Sequence, residues 1–239
     1  MRMNEPGFRP LQKMFMEVPG RYDLMNRILT WRLDEIWRKK AARECISGNP
    51  ATVLDLCTGT GDLALRIAGL VNGSAKIIGL DYSEPMLDIA RQKAGKRNIF
   101  CIEFIRGDAA DMPFGNDSVD AIGIAFAFRN LTFRNRDRDK FLAEIHRVLK
   151  RDGKFVIVES SQPATPLIRF LFHLYLRVFV SGIGGLISRH QGAYKYLALS
   201  ASHYYQPDEL KKLLEQSGFR IIMHIPLFLG IAGITVATK

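Results

Sequence analysis

Three aspartates stand where apolar runs give way to turns. They are Asp55 in Thr52-Val-Leu-Asp-Leu56, Asp81 closing Lys76-Ile-Ile-Gly-Leu-Asp81, and Asp108 shortly after the run Phe100 to Ile105. The first leads into Asp55-Leu-Cys-Thr-Gly59-Thr-Gly61-Asp62, in which two glycines let the backbone come close to a bound group. Carboxylates so placed accept hydrogen bonds from hydroxyl or amino groups, or face a cation. Gly59-x-Gly61-x-x-Ala64, with Asp81 20 residues after Gly61, also satisfies the dinucleotide-binding pattern, so spacing alone leaves both readings open.

Charge separates them. Asp55 lies immediately before the loop, where it would repel a pyrophosphate seated at the following helix N-terminus. A cofactor with an amino group and a sulfonium but no phosphate, such as S-adenosylmethionine, meets no such repulsion. In that reading Asp81 takes the ribose hydroxyls, Asp108 takes the adenine amino group, and Tyr82 packs on the base. The competing reading of each aspartate is a local one, a helix N-cap, and three at successive strand ends weigh against it.

The elements that must hold these residues alternate. Thr52–Leu56, Lys76–Asp81, Phe100–Ile105, Val119–Phe126 and Lys154–Val158 read as strands. Helices are expected from Leu63, from Glu84 to Gly95, and from about Asp137 to Leu149. The fold class expected is α/β, a doubly wound, mostly parallel, seven-stranded Rossmann-like sheet with an antiparallel C-terminal strand and helices on both faces. The 239 residues are read as one domain: a helical cap over 1–50, a cofactor-binding core over 51–160, a substrate-side insertion over 161–206, and a C-terminal helix and strand pair over 207–239. Within the insertion, Arg169, His173 and Arg177 share one helical stripe. That reads as the wet edge of a lid or core helix slightly better than as a membrane-docking face. The uncharged run between Arg220 and Lys239 contains Pro226 and two glycines, and reads as two buried strands rather than a membrane span.

Composition narrows the function. With 47% hydrophobic and 24% charged residues the chain is globular. Cys45, Cys57 and Cys101 form no C-x-x-C pair and no histidine cluster accompanies them, so no metal site and no disulfide framework are expected. The setting expected is cytoplasmic. The net charge of +10 is uneven: residues 51–128 are acidic, whereas 1–50, 129–151 and 152–239 are basic. The basic excess suits an anionic membrane surface or a nucleic acid, and equally a solvated surface.

Further motifs carry a resemblance: Arg21-Tyr-Asp-Leu-Met-Asn26, Gly107-Asp-Ala-Ala-Asp-Met-Pro-Phe114, Ala125-Phe-Ala-Phe-Arg-Asn-Leu-Thr132, Glu144-Ile-His-Arg-Val-Leu-Lys150 and Tyr194-Lys-Tyr-Leu197. With the Asp55 loop, the chain resembles class I S-adenosylmethionine-dependent methyltransferases, and among them the ubiquinone/menaquinone-biosynthesis C-methyltransferase family. The resemblance implies methylation of a ring carbon of a polyprenylated quinol, demethylmenaquinol before others. It also implies cofactor contacts at Thr60, Asp81, Asp108 and Ala109, with Ala125 beside them. Leu199-Ser-Ala departs from the family's usual Glu-Ser-Ile, and Gly230-Ile-Ala-Gly233 from its Gly-Ile-Val-Ala.

A quinol carbon becomes nucleophilic when the neighbouring hydroxyl gives up its proton, so a cation or donor near that oxygen assists. Arg129 and Asn130 are assigned that part, with a bound water held by them and Tyr22 removing the proton, because arginine does not deprotonate. An ion pair is the competing reading of Arg129. The protein is expected to touch the inner membrane peripherally, through its basic flanks and 163–187, and a homodimer is left open. Nucleic-acid methylation lacks its usual Asp/Asn-Pro-Pro-aromatic and Pro-Cys signatures. A non-catalytic subunit and a nicotinamide-dependent oxidoreductase are the remaining alternatives.

Overall fold

The computed structural model describes residues 27, 30–71, 73–180 and 191–239, without the side chains of 191–194 and 221–222. Helix α1 (Leu33–Ile46) precedes the alternation β1 (Thr52–Leu56), α2 (Asp62–Val71), β2 (Lys76–Asp81), α3 (Glu84–Lys96), β3 (Ile102–Arg106) and β4 (Val119–Ala125). A one-turn helix α4 (Phe128–Thr132), α5 (Arg138–Val148) and the long β5 (Leu149–Ser160) follow. Then come α6 (Pro166–Tyr175) with a π-helical turn over Leu176–Val180, α7 (Gln191–Ser202), α8 (Pro207–Gln216), β6 (Arg220–Leu227) and β7 (Ala232–Thr238).

The seven strands make one sheet in the order β3-β2-β1-β4-β5-β7-β6. β1 to β5 are parallel, and only β7 runs antiparallel, to both its neighbours. This is the α/β class expected. The order reverses between β1 and β4, which opens a crevice beyond their carboxyl ends. Alternation along each strand feeds two cores. Leu54, Leu80, Ile124 and Ile157 pack with α5 and α8 on one face, and Val53, Ile77, Val156 and Val158 pack with α1 and α2 on the other.

Boundaries differ from the sequence reading in instructive places. β4 stops at Ala125, one residue short of expectation, because Phe126 takes a left-handed φ of 58° and turns the chain away. β5 begins earlier than expected, at Leu149, directly off the end of α5. The two terminal strands are as expected, and Pro226 is tolerated because β6 is an edge strand. No helix among the described residues is long and apolar enough to cross a membrane. Of the residues assigned to the cap, Arg21 to Asn26, Tyr22 included, lie outside the described residues.

Candidate active site

The loop after β1 is built around Asp55. Its neighbours across the sheet are Gly79 of β2 and Gly123 of β4. A methyl group on Gly123 would sit 2.8 Å from Cys45 Sγ and 3.0 Å from Leu63 of α2, so bare backbone there is what lets α1 and α2 pack down. Asp55 is 1% exposed. Its Oδ2 accepts from the Thr58 hydroxyl at 2.6 Å and from the Ala64 N–H at 2.9 Å, which closes the loop and caps the first turn of α2. The sequence reading has Asp55 facing a ligand; the structure shows its Oδ2 engaged in holding the loop. Burial pushes it up to about 7, against the opposing hydrogen bonds from Thr58 and Ala64.

Asp81 ties the loop to β2. Oδ2 accepts from the Gly59 N–H at 2.8 Å and Oδ1 from the Ser83 N–H at 2.9 Å. Burial raises it, while those backbone donors lower it. Asp108, exposed, accepts from the Ala110 N–H at 2.9 Å and makes an isolated bridge with Asp111. Of the three, only Asp55 accepts from the first turn of a helix, as the competing N-cap reading has it; Asp81 and Asp108 accept from loop N–H groups. All three converge: burial raises the Cys57 thiol, and Asp81, Asp55 and Asp108 all raise it further. Cys57 itself has a left-handed φ of 54° at the head of the loop.

The two loop glycines do different things. Gly59 (φ 54°) has open space where a side chain would be. Gly61 (φ 81°) has none, since a Cβ would lie 2.9 Å from Ala90 Cβ and 3.3 Å from the Phe104 ring. Close approach of a ligand was the reason read for both; for Gly61 the reason is packing against α3 and β3. Thr60 is buried, and its hydroxyl accepts from Lys93 Nζ at 2.8 Å, which also pairs with Asp62 at 2.7 Å. Burial pushes Asp62 up, yet Lys93 and Arg38 outweigh it and leave it below the ordinary carboxylate range. Tyr82 is exposed beyond β2, Ala109 is buried, and Ala125 ends β4 half-buried.

Arg129 and Asn130 lie in α4, at the carboxyl edge. Arg129 is 4% exposed, and its NH1 donates to Glu159 Oε1 at 2.9 Å and to Ser160 Oγ at 2.7 Å. Its backbone N–H donates to Glu159 Oε2 at 3.2 Å. The ion pair that is the competing reading of Arg129 is present: Arg129 is half of a buried pair between α4 and β5. Among the described residues, three buried side-chain polar atoms make no hydrogen bond, Arg129 Nε, Asn130 Oδ1 and Tyr204 Oη. The last belongs to the same neighbourhood. Burial raises Tyr204 far above the tyrosine range, with Glu159 adding and Arg129 opposing.

Sequence reasoning passed over Glu159, Lys93 and Arg38. A signal existed for the first, a single acid ending the apolar run Phe155-Val-Ile-Val-Glu159 on the strand beside β4. Asp34 and Arg38 stand four apart on α1 and form a buried pair, with Arg38 4.9 Å above the Phe126 ring. Nothing local marks Lys93, which reaches its partners from more than thirty residues away in sequence.

Helix α6 keeps its polar stripe partly wet. Arg169, half-buried, donates to the Pro163 carbonyl at 2.8 Å; His173, half-buried, and Gln162 hydrogen-bond at 2.9 Å; and Arg177 is exposed. The outward stripe is Leu167, Phe170, Leu171 and Leu174.

A sheet in this order, with acids at the ends of β1 and β2 and after β3 and open space at Gly59, fits a cationic adenosyl donor. The chain is a class I S-adenosylmethionine-dependent methyltransferase. Residues 3–239 match the ubiE/COQ5 methyltransferase family, and the chain belongs to that family. It is 39% identical over 229 residues to the demethylmenaquinone methyltransferase of Deinococcus radiodurans, covering 96% of this chain and 92% of the relative. It is 38% identical over 238 residues to the ubiquinone/menaquinone biosynthesis C-methyltransferase UbiE of Citrifermentans bemidjiense, covering 99% of each. Among solved structures, a SAM-dependent methyltransferase from Thermotoga maritima, titled a possible histamine N-methyltransferase, shares the fold. Its TM-score is 0.61 at 16% identity, with 96% of this chain and 99% of that one covered.

Proposed function

We propose that the protein methylates a ring carbon of a polyprenylated quinol, demethylmenaquinol, at the cytoplasmic face of the inner membrane. The observation that carries the acceptor is the near full-length similarity to relatives that bear this activity in their names. The molecule's own chemistry agrees with it. When bound, S-adenosylmethionine supplies an activated methyl electrophile, so the chain must align two partners and exclude water, an effect of up to about 7–11 kcal/mol in well-oriented systems.

Asp81 and Asp108 are assigned to the ribose hydroxyls and the adenine amino group, with the exposed Tyr82 ring against the base and Thr60, Ala109 and Ala125 lining the walls. Gly59 leaves the approach open. Asp55 keeps the loop closed and adds negative potential from below. On the acceptor side, Asn130 Oδ1 accepts from the quinol hydroxyl or from the water that takes its proton, and Arg129 Nε donates to the developing phenolate. Arg129 contributes a directed donor rather than a net positive charge, since Glu159 compensates it. Tyr22 is kept as a candidate third holder of that water.

The test is a label-transfer assay with purified protein, methyl-labelled S-adenosylmethionine and the reduced naphthoquinol and benzoquinol, read by mass spectrometry. Label on a ring carbon of the naphthoquinol is expected. Label on oxygen, or none on either quinol, would defeat the assignment.

A further inference from the structure

A second apolar feature, far from α6 in sequence, lies at the same rim. The turn Phe228–Gly230 joins β6 to β7, and Phe228 and Leu229 are 57% and 70% exposed. Both take left-handed backbone angles, φ 41° and 58°, which cost a bulky residue roughly 1–2 kcal/mol each. Glycine or asparagine would relieve that strain, so the position gives up stability to display two large apolar side chains.

The topology fixes where they point the chain. β7 is antiparallel to both β5 and β6, so β6 runs parallel to β5 and its end lies at the carboxyl edge, with the strand-end acids and α4. The turn also abuts the start of the α6 segment. A Cβ on Gly230 would be 3.4 Å from Pro163 Cα, and the Ser161 N–H donates to the Ile231 carbonyl at 2.9 Å. At the other end of α6, Tyr175 accepts a hydrogen bond from Trp31, which is 78% exposed. The outward stripe of α6 is therefore bracketed by apolar residues from two other parts of the chain.

Charge identifies the occupant. From Ser160 to Pro207 the sequence contains no aspartate or glutamate but carries Arg169, Arg177, Arg189 and Lys195, and residues 221–238 carry no Asp, Glu, Lys or Arg. Of these cations Arg177 and Lys195 are exposed among the described residues, and a segment with apolar side chains outward, exposed cations and no carboxylate of its own complements an anionic bilayer. We propose that Phe228 and Leu229 form a second membrane-inserting tip which acts with the α6 stripe to seat the β5–β7–β6 side of the carboxyl edge, away from the strand-end acids of β1 to β3, on anionic lipid. The inference rests on the reading of a membrane-borne acceptor and adds the element that orients the site toward it.

The experiment uses the full chain and vesicles of phosphatidylglycerol with phosphatidylethanolamine, with phosphatidylcholine vesicles as control, at low salt. Phe228→Asn/Leu229→Asn relieves the backbone strain, so it folds, and it is expected to weaken sedimentation with the anionic vesicles by about tenfold or more. Phe170→Ser/Leu171→Ser should do likewise. Phe228→Trp keeps the apolar character, and its emission should shift to the blue and be quenched by brominated lipid. If the Asn variant binds as the wild type does, or Phe228→Trp is not quenched, while the α6 variant loses binding, the tip proposal is overturned and the membrane reading stands. If the wild type binds no vesicle, both fall. If the face instead joins two copies, seen as a dimer that the α6 variant dissolves and lipid does not, the proposal falls as well.

Discussion

The Arg129–Glu159 pair makes a quantitative prediction, because its two members are 4% and 2% exposed and Glu159 also serves two backbone donors, the N–H groups of Arg129 and Ser160. Removing the cation alone, with Arg129→Met, leaves Glu159 buried without its countercharge and should cost about 3–5 kcal/mol. That is a large share of the roughly 5–15 kcal/mol that holds a domain folded. Glu159→Gln keeps an acceptor but gives up the charge, and should cost about 1–3 kcal/mol. The informative outcome is the combination. With Arg129 already Met, replacing Glu159 by Gln removes a buried unpaired charge, so the double variant should be more stable than Arg129→Met. The assay is urea denaturation followed by tryptophan fluorescence, with midpoints compared at equal m. Additive effects in the two backgrounds, or a loss under about 1 kcal/mol for Arg129→Met, would refute the pair as a structural unit. In the folded double variant, affinity for S-adenosylmethionine should persist while turnover falls; loss of both would remove Arg129 from the acceptor side.

Two further perturbations address the loop. Asp55 titrates at about 7 in the folded protein against a usual 3.8, so between those values the folded state holds a proton that the unfolded chain has released, and stability falls as pH rises through that window. Asp55→Asn abolishes the slope and should be more stable than wild type at pH 8 by about 3–5 kcal/mol, with the gap closing toward pH 4; a variant less stable at pH 8 would sink the reasoning. Gly59→Ala meets only the left-handed backbone cost, about 1 kcal/mol, but puts a methyl group into the open approach, so calorimetry should show weakened donor binding in a folded protein. Gly61→Ala adds about 1–3 kcal/mol of overpacking against Ala90 and Phe104, and should show itself first in the melting curve.

How far the sequence reaches depends on how local the determining physics is. The strands and most helices are legible because apolar periodicity and glycine stops are written within ten or twelve residues, and the Asp55 loop stands out for the same reason. An antiparallel C-terminal strand is expected from the sequence, whereas the placing of β4 beside β1 is seen only in the folded sheet. What stays hidden is direction. The sequence shows Arg169, His173 and Arg177 on one stripe, but that the first two fold back on the Pro163 carbonyl and Gln162 while Arg177 stays exposed depends on partners outside the helix. Likewise the pairing of Arg129 with Glu159 and the Lys93 clamp on Thr60 and Asp62 join residues some thirty positions apart, and only the folded sheet brings them together. Asp55 shows the subtlest case: the residue type and place suggest a ligand contact, and only the hydrogen bonds of Thr58 and Ala64 reveal that its carboxylate is already engaged.

These directions divide the carboxyl edge electrically, and the division suits the proposed chemistry. On the β1–β2–β3 side three carboxylates surround Cys57 with few compensating cations, so a positive donor is drawn there and a diphosphate repelled. On the β4–β5 side the charges of Arg129 and Glu159 cancel, and apolar segments lie nearby. An uncharged prenylated ring would lose solvation beside an uncompensated charge and gain nothing, whereas beside a compensated pair it meets donors and acceptors without a field that also draws water. The reversal of strand order between β1 and β4 puts the two environments side by side. Asp81 and Asp108 would hold the sulfonium donor on the acidic half, and the methyl group it supplies would pass to a ring carbon on the neutral half, relieving the positive charge that the acids face.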